Sequence, residues 1–335
     1  MKRVFVVIYF LTLFYSGFCQ KNFDFRFWED SLIKLRQEVL YSPTEEERIS
    51  LNEDFMTLLE SILMEKNSFK FKWDSVKNFS VVASPDNLFK IFTWYVLKDD
   101  YTYENFGFIH LYNEYRKKYI IYPLYDKRSS IAYPSTTISD QNNWYGANYY
   151  KIIPLESKEK TYYTLLGWNG NNLFTNEKII EVLQLNLKSN KPIKFGAKIF
   201  SKYESKVARV ILKYSKDATL SLKYENHYYL QSTGKRDSKT RKMIYEQIYS
   251  DMIIFDSLIE QEDGMPQLPS YLVPESSINQ GFIPKNGKWV FHANVQGRNP
   301  DKKYQPIKIS PRNYHQPTKN KQEKELISFK IYSYY

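Results

Sequence analysis

Between residues 27 and 40, Leu32, Leu35, Val39 and Leu40 recur on one stripe at helical spacing, and the stripe stops at Ser42-Pro43. Ser42 reads as the N-cap of a second helix, with Pro43 at its first position and Glu45, Glu46 and Glu47 in the first turn, where acids complement the helix dipole. Ile49, Phe55, Leu58, Leu59, Ile62 and Leu63 give that helix an apolar face. A helical hairpin is therefore expected within residues 20–68.

From Phe69 the period shortens to two. Residues 79–82 and 88–97 flank Ser84-Pro85-Asp86-Asn87, whose side chains favour a turn, so a β-hairpin is expected there. Residues 106–112, 119–125, 149–155 and 160–168 read as further strands, the last ending on Asn169-Gly170, a pair suited to a tight turn. Residues 178–187 fit helix or strand, and Ile179, Ile180 and Val182 incline them to strand. Residues 207–214 and 218–224, split by Ser215-Lys216-Asp217, read as a second hairpin. A strand over 252–258 and a turn at Asn286-Gly287, joining Phe282 to a strand over 288–295, complete the body. The expected fold is mainly β: an antiparallel meander, propeller-like or a sandwich, preceded by an N-terminal α-helical hairpin.

The phrases at residues 89–94 and 162–170, with Trp289, resemble a family of exported bacterial proteins of unassigned function, over residues 69–295. That resemblance implies a β-rich body and carries no catalytic residues with it.

The first nineteen residues change the picture from fold to address. Lys2 and Arg3 precede an apolar run over residues 4–14, and Ser16, Gly17 and Cys19 follow, which is the order of a secretory signal peptide cut before Gln20. The run is short of the roughly 20 apolar residues that span a bilayer, so an uncleaved anchor is disfavoured. A lipid anchor at Cys19 is disfavoured by the bulky Phe18 before it. Cys19 is the sole cysteine, so a chain cut after it has no thiol for a disulfide, a nucleophile or a metal. The expected location is periplasmic, envelope-associated or secreted, with no integral membrane span once the leader is removed.

Charge is unevenly spread. The whole chain carries +11, yet residues 298–335 hold nine bases against three acids, so basicity belongs to this Pro- and Lys-rich tail rather than to the β-rich domain at 69–297. Such a tail reads chiefly as a solvated terminus, and export argues against a nucleic-acid partner.

Catalytic and cofactor motifs are missing. His110, His227, His292 and His315 never approach zinc-ligand spacing, and the 11 glycines form no phosphate loop or nucleophile elbow. No cofactor and no metal is expected. Two acidic clusters, Asp99, Asp100 and Glu104, and Glu260, Glu262 and Asp263, leave a hydrolase of an extracytoplasmic polymer as the alternative.

Aromatics make up 17% of the chain, more than a core requires, so some are expected at the surface. Trp144, Tyr145, Tyr149 and Trp168, interleaved with amides that include Asn169 and Asn171, form the candidate site, because sugar rings stack on planar side chains while amides bond hydroxyls. The favoured function is a non-catalytic binding module for a glycan or another cell-envelope component.

Overall fold

The structure, a computed structural model, describes residues 23–158, 160–201 and 207–295. The leader with Cys19, and the tail over 298–335 with His315, lie outside the described residues. Both helices are present, α1 (Phe25–Tyr41) and α2 (Glu45–Met64). The cap of α2 is Thr44, not Ser42: the Thr44 hydroxyl accepts from the Glu47 amide at 3.3 Å. Ser42 instead closes α1, its amide and hydroxyl both donating to the Glu38 carbonyl at 2.9 Å. A Thr-x-x-Glu pair outcompetes Pro43 as a start signal because it satisfies a free N–H directly.

Thirteen strands follow among the described residues: β1 (Ser80–Ala83), β2 (Phe89–Leu97), β3 (Tyr103–Asn113), β4 (Lys118–Tyr125), β5 (Asn148–Glu156), β6 (Thr161–Asn169), β7 (Thr175–Leu185), β8 (Ile193–Phe195), β9 (Val210–Ser215), β10 (Leu222–Arg236), β11 (Met243–Glu260), β12 (Leu272–Lys285) and β13 (Lys288–Val295). They form three antiparallel sheets. The first runs β1-β2-β3-β4. The second runs β5-β6-β7, and the far edge of β7 is shared, its first half pairing with β9 and its last residues with β8. The third runs β10-β11-β12-β13, and its edge strands meet at one register pair, Tyr229 opposite Val295, which does not close a barrel.

Alternation along each strand dictates how the layers stack. In β2, Phe92 and Trp94 face the helices, packing with Leu32, Phe55, Leu59 and Ile62, while Phe89 and Ile91 face the second sheet. In β7, Ile179 and Leu183 join that inter-sheet core, while Ile180 and Val182 face a third core with Leu222, Ile253, Phe255, Phe282 and Trp289. The order is thus helical hairpin, first sheet, second sheet, third sheet. Polar pins cross each interface: Trp94 Nε1 donates to Asn52 Oδ1 at 2.7 Å, the Tyr149 amide to Thr93 Oγ1 at 3.1 Å, and Trp289 Nε1 to Thr164 Oγ1 at 2.8 Å.

Two expected turns are corrected. Residues 207–214 and 218–224 do not pair as a hairpin, because β9 adds to β7 while β10 pairs with β11 in the next layer. Both segments bury apolar residues in the same core, so the turn between them carries the chain from one layer to the next rather than along one sheet. Asn169-Gly170 is no two-residue turn either: residues 170–174 all lie in the connection, and Asn171, not Gly170, takes the left-handed φ of 50°. At Asn286-Gly287, by contrast, both residues have positive φ, 52° and 71°, as a tight hairpin turn requires. No helix among the described residues is long and apolar enough to cross a membrane.

Candidate ligand-binding surface

Trp144 follows the short turn at Gln141–Asn143, which Asp140 caps through the Asn142 amide. Its backbone is bound on both sides to the end of β4, and its ring is fully buried, with Nε1 donating to the Tyr149 hydroxyl at 2.9 Å. Tyr149 is buried in the same core, and its carbonyl accepts from the Ser80 hydroxyl. Tyr145, also buried, donates its hydroxyl to Glu177 Oε2 at 3.1 Å. These three rings fill the seam between the first and second sheets, so none offers a face to a sugar. That corrects the expectation that they form a stacking platform.

The same seam holds charge that the sequence reading passed over. Glu177 and Glu181 sit on the inward parity of β7, alternating with Ile179 and Leu183, and both side chains are buried. Glu177 is flanked by Arg128 Nη1 at 3.1 Å and Lys213 Nζ at 3.2 Å. Glu181 Oε2 takes Arg209 Nε at 2.6 Å, and Arg209 also donates to the carbonyls of Pro134 and Thr137. Burial pushes the Glu181 carboxyl above its ordinary range, with Arg209 opposing the shift. Four residues of strand separate the two acids by about 13 Å, beyond the reach of a paired-carboxylate mechanism. The visible signal was a charged residue on the apolar parity of a strand.

The acidic clusters do not converge. Asp99 pairs with Arg48, and Asp100 accepts from the amide and hydroxyl of Thr102 in an exposed turn, bonds that hold its carboxyl down. Glu262 and Asp263 are exposed beyond β11, in a different layer. Among the described residues no three His, Cys, Asp or Glu side chains gather where they could hold a metal ion.

Trp168 behaves differently from the other five. It lies partly exposed near the end of β6, its ring centre 5.8 Å from both Tyr95 and Tyr103, which are themselves 5.1 Å apart. Gly170 makes the arrangement possible, because a Cβ there would meet the Tyr103 ring at 2.5 Å. Lys216 Nζ sits 4.6 Å over Tyr103 and donates to the Gly170 carbonyl at 3.1 Å. On the neighbouring strand Lys178, in register with Trp168, lies 5.0 Å over Tyr150. Burial lowers the pKa of both lysines.

Asn169 and Asn171 are inside this end rather than on it. Asn169 donates to the Gly146 carbonyl at 2.9 Å and accepts from the Asn171 amide at 2.7 Å, and Asn171 bonds Thr175 Oγ1. Asn172 Oδ1 accepts from the amides of Phe174 and Thr175 at 2.9 and 3.0 Å. The amides thus brace the turn from within, and the turn presents Leu173 and Phe174, 51% and 66% exposed. Of the six candidate residues, Trp168 alone has surface to offer, and Tyr95 and Tyr103, with Lys216 over Tyr103, are the neighbours the sequence did not reveal.

An open cleft of about 540 Å³ lies elsewhere, between the segment with Ile131, Ile138 and Asp140 and the chain from Lys191 into β8 at Lys194. No aromatic ring lines it. Comparison with family models, curated proteins and solved structures gives no match to this chain.

Proposed function

We propose that the chain is an exported, non-catalytic binding module for a glycan or another cell-envelope component, with its ligand surface at the Trp168 end of the second sheet. The supporting observation is the partly exposed Trp168 ring held among Tyr95 and Tyr103, beside an amide-braced turn that displays Leu173 and Phe174. An apolar residue kept rigidly in water is costly unless something covers it, and planar rings next to polar edges suit the faces of sugar rings. The hydrolase alternative has less support: Asp99 pairs with Arg48, Asp100 braces a turn and Glu262 and Asp263 are exposed, while Glu104, half-buried on β3 with its carboxyl pushed up by burial, lies in a different layer from the second cluster.

Retention of the mature chain on immobilised cell-wall polysaccharide tests this reading. Trp168→Ala is expected to abolish retention in a chain that still folds, with its unfolding midpoint lowered by the packing lost on Tyr95 and Tyr103, and unaltered retention overturns the assignment of the surface. Export is tested by the intact mass of protein from its native cell, which should lack residues 1–19.

A further inference from the structure

We infer that the ligand of the Trp168 surface is acidic, a glycan bearing carboxylate or phosphate groups; this rests on the binding reading above. Three cations surround the ring cluster. Arg36, buried, lies 5.6 Å from the Tyr95 ring and donates only to the carbonyls of Asn78 and Tyr95; Lys216 caps Tyr103; and Lys178 stands beside Trp168 over Tyr150. None of the three is ion-paired to a carboxylate among the described residues.

The contrast with the rest of the molecule is informative. Inward-facing Arg128, Arg209 and Lys213 each have a glutamate within 3.2 Å, and Arg48 has Asp99. Away from Trp168, Lys90 alone among the half-buried cations of the described residues lacks a carboxylate partner, standing over Phe69 and donating to the Phe71 carbonyl, whereas the Trp168 end gathers three such cations around one ring cluster. Cations left half-desolvated over aromatic faces, without an internal counter-charge, create a positive potential that an incoming anion relieves. The aromatic faces add stacking for the sugar ring that carries the charge.

The test uses the full mature chain and three soluble polymers: polygalacturonate, its fully methyl-esterified form, and poly(glycerol phosphate). Binding is followed by calorimetry at low and at moderate salt. Polygalacturonate or poly(glycerol phosphate) should bind at least about tenfold more tightly than the ester, with affinity falling as salt rises. Which of the two acidic polymers binds identifies the carboxylate or the phosphate as the source. Lys178→Gln and Lys216→Gln should each weaken binding about five- to tenfold and flatten the salt dependence. Lys178 is the safer variant because its ammonium bonds no backbone atom in the structure. Equal binding of the ester, or wild-type binding by both lysine variants, overturns the acidic preference and leaves the glycan reading standing. Failure of all three polymers together with cell-wall polysaccharide overturns both.

Discussion

Arg209 and Glu181 form an ion pair, 2.6 Å from Nε to Oε2, in which neither side chain touches solvent. The guanidinium does more than neutralise the acid, because its remaining donors hold the Pro134 and Thr137 carbonyls and so fasten residues 134–139 to the second sheet. Removing one partner strands a buried charge. Arg209→Met or Glu181→Leu should each lower stability by about 3–5 kcal/mol, while the double variant should lose less than the sum of the two. Denaturant titration of the four proteins completes the cycle, and simple additivity would show that the pair is not coupled.

His110 is buried on the helix-facing side of β3, between Phe69 and Tyr119, with neither ring nitrogen hydrogen-bonded. Burial, reinforced by nearby Lys90, pushes its pKa down to about 4 from 6.5. A depressed pKa means the unfolded chain takes up the proton first, so this stabilising contribution is complete above pH 6.5 and is lost as pH falls toward 4. The loss is up to about 3 kcal/mol. His110→Phe should retain more of its neutral-pH stability at pH 4.5 than the wild type does, read from unfolding free energies at the two pH values. An unchanged pH dependence would remove His110 as the cause.

Asn52 on α2 is the sole acceptor for Trp94 Nε1 and ties the helical hairpin to the first sheet. Asn52→Ala leaves a buried donor without a partner and should cost about 1–3 kcal/mol. Asn52→Asp, which keeps the oxygen acceptor, should differ from Asn52→Ala in the Trp94 indole N–H chemical shift. Identical shifts in the two variants would contradict the bond.

Gly170→Ala addresses the surface rather than the core. The added methyl group has to displace the Tyr103 ring, and with it the position of Lys216. Binding of the acidic polymer should fall about tenfold or more while most of the fold's stability is kept, because Tyr103 is only half-buried and can swing toward solvent. Wild-type affinity in Gly170→Ala would show that the Tyr103 position does not matter to the ligand.

The elements were largely legible because one face of each is apolar. The apolar face of α1, the strand over β2 and the Asn286-Gly287 turn all appear in the structure where the sequence implied them. β8 escaped notice because three residues carry no period. The false hairpin at 207–224 arose because a turn signal tells where a strand ends and not which strand comes next to it. For the site, composition pointed to aromatic residues beside amides but could not separate Trp144, whose indole meets a tyrosine in the core, from Trp168, whose neighbours leave it partly open. Both follow or precede asparagines in the chain; only the layer order distinguishes them. The cations around Trp168 are scattered from Arg36 to Lys216, a spacing that no local pattern reveals.

Among the described residues the second sheet is the only one covered on both faces by other sheets, and this sets the order in which the molecule can come apart. The helical hairpin can peel from one side and the third sheet from the other, each exposing a single core. β6 and β7 can open only after both coverings have loosened, so their amide protons should be the last in the chain to exchange with deuterated water, at a rate set by global unfolding. The Trp168 surface grows directly from the end of that slowest-opening ladder. A ligand would therefore meet rings anchored in the most persistent part of the chain, with little ordering left to do on arrival.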